Sequence, residues 1–155
     1  LSQLLWAAQG VTRKWGGRTA PSAGALYPLE IYVATRDGLF HYNPSKHQLM
    51  KVSEQNLVPV IAKAALEQNS IAEAPSVFII TAVYERTSLK YRDRAERYVK
   101  IEVGHVAQNI LLQAAAMGLA AVPVGAFFDQ MIHQSLKLPP EHQPLYIIPV
   151  GHQRK

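Results

Sequence analysis

Residues 18–35 read Arg-Thr-Ala-Pro-Ser-Ala-Gly-Ala-Leu-Tyr-Pro-Leu-Glu-Ile-Tyr-Val-Ala-Thr, and the change of character halfway along decides how the rest of the chain is read. The first half is a loop. Pro21 fixes the backbone, and the small residues Ser22, Ala23 and Gly24 let a flat ligand approach the main chain closely. Arg18 lies near enough to meet an anion. An ordinary surface turn has the same composition, so this segment alone leaves both readings open. The second half, 29–35, is rich in the β-branched and aromatic residues of a strand. Asp37-Gly38 follows as a hairpin turn, with 39–42 as the returning strand.

Working outward, Ser2 is placed to cap a short helix over 3–9, with Leu4, Leu5 and Ala8 on one face and Gly10 as the stop. Residues 48–52 suit a further short strand. Residues 53–68 are helical in composition, with Pro59 either kinking the helix or opening a new first turn. The Val, Phe and Ile run at 76–83 is that of a central strand. The longest helix spans 95–117: Val99, Val103, Val106, Ile110, Ala114 and Met117 step by threes and fours, and Gly118 ends it. Its second stripe, Tyr98, Glu102, His105, Asn109 and Leu112, is polar but nearly uncharged, which predicts a helix buried almost all round. A strand over 120–126, a helix over 129–136 stopped by Pro139-Pro140 and a buried strand over 145–150 complete the chain. With no repeat, low-complexity tract or linker, residues 1–155 make one α+β domain, helices flanking a mostly antiparallel or mixed sheet.

The length, 155 residues and 17.2 kDa, suits a single core. Charged residues make up 17% against a usual share of about 25%, which suggests that another molecule covers part of the surface. An excess of 16 Lys+Arg over 11 Asp+Glu calls for an anionic partner: nucleic acid, a membrane or a phosphorylated small molecule. Nucleic acid is disfavoured by the absence of zinc-finger spacing and paired aromatics, and the basic group at 90–100 is interleaved with Asp93 and Glu96 as on a solvated helix face. The uncharged stretch 103–128 exceeds the ~20 residues of a membrane span. His105, Gln108, Asn109, Gln113, Gly118 and Pro123 interrupt it, so a buried helix followed by a buried strand fits better. Without cysteine there is no disulfide, thiolate metal site or cysteine nucleophile, and without a signal-peptide pattern the chain reads as cytoplasmic. Glu102 and His105 have the spacing of one half of a di-iron motif, but such a site needs two pairs, so no metal is expected and the two read as a satisfied buried polar pair. Phosphate-loop, Rossmann and nucleophile-elbow patterns are missing.

The 21–30 segment Pro-Ser-Ala-Gly-Ala-Leu-Tyr-Pro-Leu-Glu resembles that of the flavin-dependent nitroreductase superfamily, in its SagB-type dehydrogenase branch. Residues 98–109, Met117-Gly118-Leu119, the Pro-Val-Gly-Ala-Phe of 123–127 and Ile148-Pro149-Val150-Gly151 are similar to that branch and follow in its order. The resemblance departs at the front, where the family's upstream Arg-Arg-Ser-type segment, which helps hold the flavin phosphate, is missing from this sequence. It implies an FMN enzyme with a nitroreductase-like fold, a homodimer with flavin at the subunit interface, a small-molecule substrate and NAD(P)H as reductant. Pro21, Ser22 and Ala23, with Gly24 beside them, would contact the flavin from across that interface. Gly125 would offer its backbone N–H to the reactive ring nitrogen, with Ala126 next to it. Arg18 and the terminal Arg154 and Lys155 are the candidate phosphate partners, a frayed basic tail being the other reading of the last two.

Lys90-Tyr91 resembles the pair that handles protons in azoline-oxidising members of the branch; the neighbouring Arg92, Asp93 and Arg94 equally suit an exposed pair on a charged helix face. The implied activity passes hydride through the flavin between NAD(P)H or an organic donor and a small acceptor. The alternatives are a flavin-binding protein with little catalytic activity and an azoline dehydrogenase acting on modified peptides.

Overall fold

A computed structural model describes residues 1–153 of the protein. Strands β1 (Leu29–Thr35), β2 (Gly38–Asn43), β3 (Gln48–Ser53), β4 (Ser76–Ala82), β5 (Ala120–Ala121) and β6 (Gln143–Gly151) form one sheet in the order β3-β2-β1-β4-β6-β5. Every neighbouring pair runs antiparallel, so the mixed alternative drops out. β4 lies at the centre, paired along its length from Leu29↔Ala82 to Thr35↔Ser76 on one side and from Ser76↔Val150 to Ala82↔Gln143 on the other. Its apolar run is unbroken because both faces of this central strand are covered, Phe78 and Ile80 lying in one core and Val77 and Ile79 in the other.

Among the described residues, six α-helices flank the sheet: α1 (Ser2–Gln9), α2 (Val58–Ala64), α3 (Asn69–Ala72), α4 (Tyr84–Tyr91), α5 (Ala95–Ala116) and α6 (Asp129–Ser135). Strand alternation sorts them into two layers. Leu29, Ile31 and Val33 of β1, with Phe78 and Ile80 of β4, pack against Leu4 and Leu5 of α1 and Val99, Val106 and Ile110 of α5. Tyr32, Ala34, Val77 and Ile79 point the other way, onto Ile61 of α2 and Ile132 of α6. Each fully buried Ile or Leu contributes about 1.5–3 kcal/mol, so the two apolar layers hold the sheet between them.

Four local expectations change. Ser2 is already inside α1 and caps nothing; its Oγ hydrogen-bonds His47 Nε2 at 2.8 Å instead. The 53–68 segment turns helical only at Val58, with Pro59 in the first turn, where its missing N–H is not needed. The strand expected over 120–126 stops at Ala121, because Pro123 has no N–H for the ladder, and only a single bridge, Val124↔Ile147, follows. α5 ends at Ala116, with Gly118 two residues on taking φ +69, but the helix is not buried all round. Ile101 is 48% and Leu112 60% exposed, and with Trp6 of α1 they leave an apolar stripe facing outward, since no other element of the described chain covers that side. No helix among the described residues is long and apolar enough to cross a membrane.

Candidate functional site

The site is built around the loop that leads into β1. Gly24 takes φ +61 within a 3-10 turn at Ala23–Ala25, and Ala25 (φ 54) and Tyr27 (φ 47) are left-handed as well. Left-handed backbone costs a residue with a Cβ about 1–2 kcal/mol, so surrounding bonds must hold this loop in place. Five do so. Ala25 N–H donates to the Ser22 carbonyl at 3.0 Å, and Tyr27 N–H to Ser22 Oγ at 2.9 Å. Arg18 N–H donates to the Tyr27 hydroxyl at 3.0 Å. From α4, Arg86 donates to the Tyr27 carbonyl at 3.0 Å and to Glu30 Oε1 at 2.6 Å. Burial pushes the Glu30 carboxyl up, but hydrogen bonds from His41 and Arg86 outweigh it and hold the group below the usual carboxylate range.

The end of α4 lies over this loop. Arg92 takes φ 49 and breaks the helix before α5 begins, and Tyr91 packs edge-on against Tyr98 of α5 with ring centroids 5.0 Å apart. A Cβ added at Gly24 would come within 2.9 Å of Tyr91 Oη and 3.1 Å of Lys90 Nζ. Glycine at position 24 thus permits both the turn and the close approach of the Lys90-Tyr91 pair. Lys90 is exposed and Tyr91 half-buried, so the pair is open to solvent while standing against the 21–24 loop.

Beside Gly24 is an open cavity of about 230 Å³, lined by Pro21, Ser22 and Ala23 on one side and by Tyr98, Ile101, Glu102 and His105 of α5 on the other. Pockets that enclose a drug-sized ligand run to roughly 300–1,000 Å³, so this one is too small to enclose such a ligand by itself, and through Ile101 it opens onto the uncovered stripe of α5. Glu102 is 2% exposed whereas His105 is exposed, which corrects the expected pairing: Glu102 Oε1 has no hydrogen-bond partner among the described residues. Burial pushes the Glu102 carboxyl up to about 7, against the opposing pull of the Ser22 hydroxyl, the Arg18 charge and the Gln9 side chain. Arg18 stacks over the Tyr27 ring at 4.4 Å and donates to Gln9 Oε1 at 2.9 Å, so its guanidinium is already engaged within the chain.

The remaining expected site residues lie elsewhere. Gly125 and Ala126 sit in the exposed loop after Val124 and line no part of this cavity; a Cβ at Gly125 would meet only Tyr146, at 3.7 Å. Arg154 and Lys155 lie outside the described residues. No cluster of three or more His, Asp or Glu suited to a metal occurs among the described residues. Sequence reasoning missed Arg86 and the standing of Glu102. The stripe Tyr98, Glu102 and His105 carried the signal for Glu102, a lone acid one turn from polar neighbours, whereas nothing local marked Arg86. A loop with approachable backbone, an amine and a phenol above it, and a buried carboxyl with one unpartnered oxygen beside it form a setting that a planar, polar ligand would fit.

Residues 1–152 of the 155 match the nitroreductase family. It is 49% identical over 157 residues to MJ1384, a candidate nitroreductase of Methanocaldococcus jannaschii, covering 97% of this chain and 78% of that protein. The trifolitoxin-processing protein TfxB of Rhizobium leguminosarum is 28% identical and the microcin B17-processing protein McbC of Escherichia coli 24%, and the chain spans only 36% and 48% of their respective lengths. Among solved structures, a candidate nitroreductase from Anabaena variabilis superposes with a TM-score of 0.90 at 30% identity, over 97% of this chain and 34% of that one. The E. coli microcin synthetase McbBCD complex matches in fold, with a TM-score of 0.87 at 22% identity over 99% of this chain and 63% of that chain. The all-antiparallel sheet, the loop before β1 and these likenesses agree: the chain belongs to the nitroreductase family.

Proposed function

We propose that this chain is an FMN-dependent oxidoreductase of the SagB-type branch, working as a homodimer and passing hydride between NAD(P)H or an organic donor and a small acceptor. The observation that carries the reading is the approach of Lys90 and Tyr91 to Gly24, beside the cavity of residues 21–23. A bound flavin would supply the two-electron hydride carrier. The chain's own residues would shape its seat, with the 21–23 backbone against the ligand and Lys90 and Tyr91 placed to move a proton at its edge. The cavity is too small for a whole FMN and opens onto the stripe of Ile101 and Leu112, so a second copy packed there would complete it and bring in Gly125 and Ala126.

The likeness to McbC favours a second reading, a dehydrogenase acting on a modified peptide. Two measurements separate the possibilities. Purified protein is expected to be yellow or to take up added FMN, with the flavin raising the thermal midpoint and favouring the dimer; a colourless preparation that takes up none refutes both readings. Lys90→Ala is expected to leave nitro or quinone turnover within a few-fold of the parent if the protein is a generalist reductase, a barrier change below about 1.4 kcal/mol. Under the peptide reading, the same change abolishes ring oxidation while NAD(P)H still reduces the flavin.

A further inference from the structure

Glu102 stands behind the 21–23 loop with an unfinished set of hydrogen bonds. Its carboxyl is buried and Oε1 is unpartnered, and Nε2 of the fully buried Gln9 lacks a partner as well. Native structures seldom keep such atoms in a dry interior without a use for them. Charged and polar groups face the carboxyl from each element around it: Gln9 from α1, Arg18 and Ser22 from the loop, and Tyr98 and His105 along α5. Ser22 Oγ already accepts the Tyr27 N–H, so its own proton is free to point at the carboxylate. The charge on Glu102 and the position of the loop are therefore tied through Ser22.

We propose that Glu102 is a positioning residue for the 21–23 loop, and that filling the cavity in front of it loads one proton from solvent onto its carboxyl. The inference rests on the flavin reading above, because FMN is the probe. An occupant removes water from the open cavity that Glu102 lines, beside a carboxylate whose Oε1 already lacks a partner, and the further loss of solvation disfavours the charged form. The protonated carboxyl gains an O–H that can donate to an oxygen of the ligand, as the carboxylate cannot. In the free chain the group titrates at about 7, raised chiefly by burial, so near neutrality a sizeable fraction must be protonated as the ligand enters. The bound form holds the proton more tightly than the free form. Affinity is accordingly level below the free value and falls as pH rises above it, by at most about tenfold per pH unit.

Isothermal titration of FMN into the full chain, in two buffers of different ionisation enthalpy between about pH 7 and 8.5, reads both affinity and proton count. This window lies above the second ionisation of the phosphate, near pH ~6, so the ligand's own titration adds little. The expected result is uptake of about half a proton near neutrality and a several-fold rise in Kd across the window. Glu102→Gln removes both. Should that variant fail to fold, Ser22→Ala takes away the hydroxyl that favours the carboxylate and is expected to move the fall in affinity to higher pH. Wild-type binding with no proton uptake and a flat Kd overturns the inference and leaves the flavin reading standing. No FMN binding at any pH refutes the flavin reading, and this inference with it.

Discussion

Replacing Glu102 by Gln tests the energetics of the buried carboxyl through the fold itself, with no ligand present. The group rises from 4.5 to about 7, first because burial penalises its charge, with Ser22, Arg18 and Gln9 opposing the shift. Between those two values the folded chain holds a proton that the unfolded chain has released. Stability is therefore greatest below the unfolded pKa, declines as pH rises to about 7, and is level above it. A shift of this size corresponds to about 3 kcal/mol. Glutamine has the shape of the protonated acid and never carries the charge. Urea denaturation is expected to give wild type and Glu102→Gln stabilities within about 1 kcal/mol of one another near pH 5, and a variant more stable by about 3 kcal/mol near pH 8. For a domain of this length, that difference moves the thermal midpoint by roughly 6–12 °C. A variant no more stable than wild type at pH 8, or a difference that ignores pH, would falsify the buried-carboxyl account.

Gly24→Ala places a Cβ on a φ of +61 and against the mobile ends of Tyr91 and Lys90, which can move aside. It is expected to lower stability by only about 1 kcal/mol while weakening FMN binding about tenfold or more, because in the proposed site the displaced pair would stand at the flavin's edge; unchanged affinity by fluorescence titration would separate Gly24 from the site. Arg86→Met removes the donor shared by the Tyr27 carbonyl and Glu30 and is expected to cost about 2 kcal/mol at pH 7 by urea denaturation. Glu30 titrates below its ordinary value in the folded chain, so its share of stability is present above the unfolded pKa and is lost as pH falls through the folded one. The deficit of Arg86→Met should shrink in that acid range, and a deficit constant with pH would count against the ion pair.

Much of the architecture was legible because it rests on signals that act over a few residues. The Val-Phe-Ile run of β4 marks a strand with both faces covered, and the steps from Val99 to Ala114 mark a helix with one buried face. Proline and glycine act on their own backbone: Pro59 opens α2, Gly118 follows the end of α5, and Gly24 provides the tight turn of the loop. The errors share one cause. Residue type at Ser2, in the 120–126 segment and on the outer side of α5 is a local property, but their outcomes depend on neighbours: His47 for Ser2, the ladder that Pro123 cannot extend, and the want of any described element over Ile101 and Leu112.

By itself, then, the sequence determined most of the strands, the long helix α5 and the loop at 21–24, since hydrophobic period and backbone restriction are local properties of adjacent residues, but not the short helices α3 and α4, whose sequences carry no long apolar stripe. Only the tertiary structure decided which groups meet at that loop. Arg92, a residue with no innate preference for φ 49, breaks the chain between α4 and α5 and leaves Tyr91 against Tyr98 with Lys90 over Gly24. The antiparallel register of β1 brings Glu30 level with Thr81 on one side, while its neighbours His41 and Arg86 reach it from β2 and α4. Glu102 reads in sequence as half of a pair with His105, yet burial on one side of α5 and exposure on the next turn give the two opposite surroundings. The charge state of a carboxyl depends on how much water and how many donors the packed chain leaves around it, and a string of residues does not contain that distance.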